Sequence, residues 1–383
     1  MTKLPPKPPP QRQRGAALLL AFALVFTLGL VMFVSRLPRR TPDIATSAKL
    51  LAVAREALVA RAAAEDNSPG SLPCPDIDGD GDADFQAGGA NPCRGALGTV
   101  AYVGHLPWKT LGIPPPRDPA GNCVWYILAA PFRNTIRTSW RGGASYPALN
   151  PATPAPLRLH LADGVEVEAV ALLAAPGPPQ PGQARGGNGC DGTDPAAYLD
   201  SDAASGASNA NGAPDGLTFW QSGTRPGIND EMLAITRADL FRIVNRRVLN
   251  EIAGNAAAGF GLAGYYRSHG YYPYAAAASN GNPSPLQLGP SALPYNVLAW
   301  RPHGAQEAVE PALWLSRNGW LDLARYQLAS GYAPGSAYPQ DCSTCIASGT
   351  GSAQALLQLP LDSAVSTLAL CVPNPALASC GRP

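Results

Sequence analysis

Charge is scarce in this chain: only 14% of its 383 residues are Asp, Glu, Lys or Arg, and the two signs nearly cancel to a formal +1. Phosphate-binding surfaces are built on clustered Lys and Arg, and no basic stripe appears in the body of the sequence. Nucleic acid is therefore not expected as a partner. Histidine is scarcer still. His105, His160, His269 and His303 stand far apart, and there is no HExxH, no GxSxG and no phosphate-binding glycine loop, so the common hydrolase and nucleotide chemistries leave no signature. Cys342-Ser343-Thr344-Cys345 is a CxxC without a second one and without a histidine at ligand spacing, which argues against zinc. Nor does it open a helix in a βαβ setting, so it reads as a structural bridge rather than a redox pair. The acids Asp163, Glu166 and Glu168 fall in a predicted strand from Leu157 to Leu173, where alternation with Val165 and Val167 makes them a solvated face. The chain is read as non-enzymatic.

Glycine and proline, by contrast, are plentiful, at 40 and 41 residues. About a fifth of the chain thus bends or punctuates the backbone, and long helices beyond the first few must be rare. Eight cysteines (Cys74, Cys93, Cys123, Cys190, Cys342, Cys345, Cys371, Cys380) make an even set, as expected of a body exported to where disulfides persist. Eight cysteines allow about 105 pairings, and the sequence does not choose among them.

Near the start, a basic, proline-rich leader ending Arg12-Gln13-Arg14-Gly15 runs straight into apolar residues from Ala16 to Val34. About twenty apolar residues suffice to cross a hydrocarbon core of roughly 30 Å, so a transmembrane helix is expected over 16–35. The run is longer than the apolar core of a signal peptide and ends Phe33-Val34-Ser35-Arg36 without a small-x-small site. Four basic residues precede it and Arg36, Arg39 and Arg40 come after it, a balance that barely orients the segment. Cysteine use breaks the tie and places the residues beyond Val34 in a bacterial periplasm, with the inner membrane as anchor. Pro38 predicts a kink. Thr41-Pro42-Asp43 then supplies helix-start residues, and Leu51, Ala54 and Leu58 recur at helical spacing in a second helical piece reaching Asp66.

The junction Arg14-Gly15 before Ala16-Ala17-Leu18-Leu19-Leu20 resembles the cleavage site of type IV pilins and type II secretion pseudopilins. The resemblance implies cutting between Gly15 and Ala16 by a prepilin peptidase, and a long N-terminal helix that holds subunits to other pilins or pseudopilins in a fibre. The family's usual glutamate at the fifth mature position falls at Leu20. Loss of a carboxylate that pairs in a water-excluded fibre core is costly, which points to a minor or tip subunit. Pro69-Gly70-Ser71-Leu72-Pro73-Cys74-Pro75-Asp76, Leu106-Pro107-Trp108-Lys109-Thr110-Leu111-Gly112 and Val124-Trp125-Tyr126 also resemble stretches of bacterial pilin-like proteins.

Further along, the sequence echoes itself. Gly70-Ser71-Leu72-Pro73 returns as Gly270-Tyr271-Tyr272-Pro273, and Trp125-Tyr126-Ile127-Leu128-Ala129 as Arg325-Tyr326-Gln327-Leu328-Ala329, at an offset of about 200 residues, far longer than a solenoid repeat. Trp108 with Gly112 and Trp314 with Gly319 fall between those points. Thr236 and Asp239 form a capping-box pattern ahead of Leu240, Ile243, Val244, Val248 and Ile252. The expected organisation is a leader 1–15, a membrane helix 16–35, a first pilin-like unit 41–175, a Gly/Pro/Ser/Asn-rich linker 176–216 and a second unit 217–383. The expected fold is α+β, a long transmembrane helix packed on small antiparallel sheets with a second related unit.

One constellation carries inorganic chemistry: Asp76, Asp78, Asp80, Asp82 and Asp84 alternate with Gly79 and Gly81. Carboxylates at loop positions 1, 3 and 5 with glycine at 6 can wrap oxygens around a hard cation, and calcium is the natural candidate. Position 12 is Ala87 rather than glutamate, which excludes an EF-hand proper, and Asp84 or a distant acid would complete the shell. Cys74 and Cys93 flank the loop at a separation a disulfide can close. The functional expectation is a membrane-anchored minor or tip subunit with a calcium loop. A tethered periplasmic binding or adhesin-like protein is the alternative, and an exported hydrolase a third class.

Overall fold

A 21-residue helix, α1 (Ile44–Ala64), opens the described structure. Leu51, Ala54, Leu58, Val59 and Ala62 recur at helical spacing and are all buried, while Lys49 is exposed and Arg55 and Arg61 half-buried. Arg61 pairs with Glu65 at 3.1 Å, and Ala62 O accepts the N–H of Gly70 as the chain turns away. The computed structural model describes residues 44–65, 68–85, 93–97, 100–134, 148–186, 190–277, 280–284, 290–302, 312–328, 346–348, 351–353, 355–361 and 364–370.

Among the described residues no helix is long and apolar enough to cross a membrane. That finding corrects the expected fold of a transmembrane helix packed on sheets, and with it the inner-membrane placement. The physical reason is visible in α1, whose buried stripe meets protein and whose other faces carry Lys49, Arg55, Glu56 and Arg61. Segment 16–35 and the junction Gly15-Ala16 lie outside the described residues, as do Cys342, Cys345, Cys371 and Cys380. Two disulfides, Cys74–Cys93 and Cys123–Cys190, fit an exported or otherwise oxidising compartment.

The strands β1 (Ala96–Leu97), β2 (Ala101–His105), β3 (Trp125–Ala129), β4 (Leu157–His160), β5 (Glu166–Ala169), β6 (Ala171–Ala175), β7 (Ser201–Asp202), β8 (Ala207–Ser208), β9 (Thr218–Trp220) and β10 (Glu231–Ile235) come in that order along the chain. After them lie α2 (Arg237–Ala253), α3 (Gly261–His269), β11 (Ser291–Ala292), α4 (Leu313–Arg317), α5 (Trp320–Leu323), β12 (Arg325–Leu328), β13 (Ile346–Ser348), β14 (Gly351–Ala353), β15 (Ala355–Leu361) and β16 (Ala364–Leu370). The architecture is α+β with several antiparallel sheets. The first sheet has the order β1-β2-β3-β6-β10, antiparallel throughout. β3 and β6 are buried at every position, which is why WYILA and ALLAA are unbroken apolar runs without alternation. The sheet's last strand lies beyond the expected linker, so this unit extends to Ile235. The single strand predicted over 157–173 is instead β4, a turn at Asp163-Gly164, β5 and the start of β6, with β9 parallel to β4.

At α2 the expected capping box forms: Asp239 N–H donates to Thr236 Oγ1 and Thr236 N–H to Asp239 Oδ2, each at 3.1 Å. Leu240, Val244, Val248 and Ile252 are fully buried, whereas Ile243 is 44% exposed. α2 packs against α1 on one side and β15 and β16 on another; those strands belong to a second antiparallel sheet, β11-β12-β15-β16. α1, likewise, packs on β6 and β10, and one continuous core joins both assemblies.

Bond by bond, the two assemblies repeat a common course. Tyr126 Oη donates to Pro73 O at 3.2 Å and Tyr326 Oη to Pro273 O at 3.1 Å. Asp76 N–H donates to His105 O, and Ala276 N–H to Ala292 O, each at 3.0 Å. Lys109 N–H meets Gly81 O at 2.9 Å, and Asn296 N–H meets Gly281 O at 3.0 Å. Gly81 lies against the Trp108 ring and Gly281 against the Tyr295 ring. Trp108 therefore corresponds to Tyr295 rather than to Trp314, which is buried in α4. Removing either hydroxyl strands a buried proline carbonyl, so Tyr126→Phe and Tyr326→Phe should each lower the urea-unfolding free energy by about 1–3 kcal/mol.

Candidate metal centre

The acidic loop is held in place before any ion is considered. Asp76 is 1% exposed because its backbone pairs with β2: its N–H donates to His105 O, and His105 N–H returns to Asp76 O at 2.7 Å. Its carboxylate turns back into the loop, where Oδ1 accepts from Gly79 N–H and Oδ2 from Gly81 N–H, each at 2.8 Å. Burial, offset by those two donors and reinforced by the charges of Asp80 and Asp78, pushes the Asp76 carboxyl up to about 6.

The outer acids are arranged by shorter-range bonds. Asp80 Oδ1 accepts from Asp82 N–H at 2.7 Å, and Asp84 Oδ2 from Ile77 N–H at 2.6 Å. Ala83 N–H reaches Thr110 Oγ1 at 2.9 Å, tying the loop to the Leu106–Gly112 segment. Asp76, Asp78 and Asp84 bring one carboxylate oxygen each within 4.8 Å of one another. Asp80 and Asp82 stand outside this group, Asp82 facing Lys109 at 3.9 Å. Three gathered carboxylates from a buried, a half-buried and an exposed position can hold a metal ion, and oxygen-only donors suit a hard cation such as calcium. Arg94 competes for that place: its Nη1 lies 3.2 Å from Asp84 Oδ1 and 4.0 Å from Asp78 Oδ2.

Both described disulfides converge here. Cys74–Cys93 closes the base of the loop, as its flanking position suggested. Cys123–Cys190, which closes a separation of 67 residues, holds the Cys190 segment against it, so that a Cβ on Gly79 would sit 2.4 Å from Cys190 O. His105, buried and pushed below its ordinary value by desolvation, contacts Gly192 O through Nε2 at 2.7 Å and lies 4.2 Å from the Trp125 ring. It is a packing residue. His160 and His269 stack on Trp220 and Tyr265 respectively, and His303 lies outside the described residues.

Sequence reasoning missed Arg94, Thr110 and the Cys190 segment. Arg94 had a signal in its position beside Cys93 at the loop's exit; the other two come from distant turns. Comparison with protein-family models, with curated proteins and with solved structures returned no match to this chain.

Gly79 and Gly121 both have positive φ, +81° and +89°, but no neighbour lies within 4 Å of a Cβ at Gly121. Gly79→Ala should therefore destabilise the protein in chemical denaturation by about 1–3 kcal/mol more than Gly121→Ala, the excess reporting overpacking against Cys190.

Proposed function

We propose that this chain is an exported, non-enzymatic structural subunit of the pilin or pseudopilin kind, serving as a minor or tip component whose head is stitched by disulfides and steadied by calcium. The observation that carries the reading is α1 laid along the end of an antiparallel meander, on β6 and β10. A helix leading into such a sheet is what the resemblance at Arg14-Gly15 implies for the part of the chain beyond the junction. The matched Tyr–Pro bonds and matched glycine turns support a head made of two copies of one helix-on-sheet unit. Its partners on this reading are other subunits of the same fibre, and a prepilin peptidase that frees Ala16.

The second unit bears on the calcium assignment. At an unbroken offset of 200 residues, Asp76, Asp78, Asp80 and Asp82 fall on Ala276, Ala278, Asn280 and Asn282, while Gly81 falls on Gly281. The glycine carbonyl keeps its backbone donor in both places, although in the first unit the Asp76 carboxylate also accepts from Gly79 and Gly81 N–H. The first unit, unlike the second, places acids along this stretch, and a bound cation would neutralise Asp76, Asp78 and Asp84.

Mass spectrometry of the mature protein from its native host should find a chain starting at Ala16. Recovery of Met1 or Thr2 at the terminus, with the processing peptidase active, would leave an exported binding protein outside any fibre. For the metal, calcium at about a hundred times its dissociation constant should stabilise the fold by roughly 2.7 kcal/mol. That gain should vanish in Asp78→Ala with Asp84→Ala and be larger at limiting calcium in Arg94→Met, which removes the competing cation. A melting temperature indifferent to calcium and chelator sinks the assignment.

A further inference from the structure

Away from the acidic loop, two more carboxyl groups meet in the interior. Asp200, just ahead of β7, is 1% exposed, and Asp230, just ahead of β10, is 0% exposed. Asp200 N–H and Asn209 Nδ2 both donate to Asp230 Oδ2 at 2.8 Å. Asp200 Oδ1 accepts from Gln183 Nε2 at 3.0 Å, and Oδ2 from Asn229 N–H at 2.6 Å. Asp230 Oδ1 is buried with no hydrogen-bond partner among the described residues.

The surrounding charges do not neutralise the pair. The charge of Arg185 reaches both, yet its donors go to Gly177 O, Ala197 O, Tyr198 O and Gln183 Oε1 and to neither carboxylate. Glu231 turns to Ser222. Asp202, on the outer side, pairs with Ser205, and Arg225 lies over the Trp220 ring. Two buried anions whose charges reach each other are costly, and a buried oxygen without a donor adds to that cost. A metal ion is a poor remedy: calcium takes six to eight oxygens, and the pair offers four in a buried site. A proton needs one.

We propose that Asp200 and Asp230 form a proton-held clasp that fastens the excursion 177–230 onto β10 and loosens as pH rises. The bonded partners span that whole excursion, from Gln183 through Asn209 to Asn229, so the clasp is the point where its turns are tied together. Burial pushes Asp200 up to about 6, and burial together with the Asp200 charge carries Asp230 well above the ordinary carboxylate range. A carboxyl raised on folding contributes fully below its unfolded value and loses that contribution as pH climbs through the folded one. For Asp200 this weakens folding about a hundredfold between about pH 4 and about pH 6, and Asp230, raised in the same direction, adds to the loss.

The test uses the full chain, with thermal unfolding and limited proteolysis followed from pH 4.5 to 8.5. The wild-type midpoint should fall across this range and cleavage within 177–230 should accelerate, while Asp230→Asn should flatten both profiles and melt higher than wild type at pH 8. Equal pH slopes in wild type and variant overturn the clasp. Should Asp230→Asn fail to fold, Asp200→Asn takes the same test. Infrared spectroscopy at pH 5 should show a protonated carboxyl stretch in the wild type that Asp230→Asn diminishes, and an unchanged stretch in the variant also overturns the proposal.

Discussion

The contact between α1 and α2 is the constraint on which this architecture depends. Each helix presents one face to its own sheet and another to its neighbour, and turns only the remainder to solvent. Arg55 meets Asp239 at 3.8 Å, and Arg247 donates to Ala63 O and Glu65 O at the end of α1. From Arg55 to Ala63 and from Asp239 to Arg247 the chain advances by the same number of residues, so the two helices run in the same direction. A parallel pair of helices, each leading into its own turn and meander, is the arrangement two tandem copies adopt when packed side by side. The single core spanning both sheets is its result.

Around that core, a chain rich in glycine and proline has few ladder bonds with which to satisfy its backbone. Side chains take over the task. Asn209 bonds both the N–H and the carbonyl of Trp220, and Asp118 accepts from Asn122 N–H and Gly177 N–H. Asn150 and Asn318 bond each other's backbone segments across 168 residues of sequence. The stretch 176–216, which composition marks as a linker, is therefore largely a set of ordered turns whose interior is polar. Composition could not show this, because Ser, Asn and Gly in a solvated linker and in a bonded turn look the same until their partners are known.

The legible features were those set by local physics. The Thr236–Asp239 cap, the stripe on α1 and the Cys74–Cys93 closure each depend on residues close in sequence. The tandem echo was also visible, through Pro73 with Tyr126 and Pro273 with Tyr326, although the matching partner of Trp108 was not, since Tyr295 is shifted in register by intervening loops. The long strand read through 157–173 failed because alternation in Val165 and Val167 continued across the turn at Gly164. The membrane-spanning expectation rested on residues 16–35 alone, and the described helices give it no counterpart. In the acidic loop, the alternation of aspartates was plain, but which three would converge depended on Arg94, Lys109 and the Cys190 segment arriving from elsewhere.

Because α1 and α2 run the same way and are clamped by arginines at two levels, tension applied to the chain at Ile44 would load them in shear. Side-by-side elements pulled in shear must rupture their contacts together, whereas a hairpin peels apart one contact at a time. Sliding one helix along the other therefore has to break the Arg55 and Arg247 contacts in a single event.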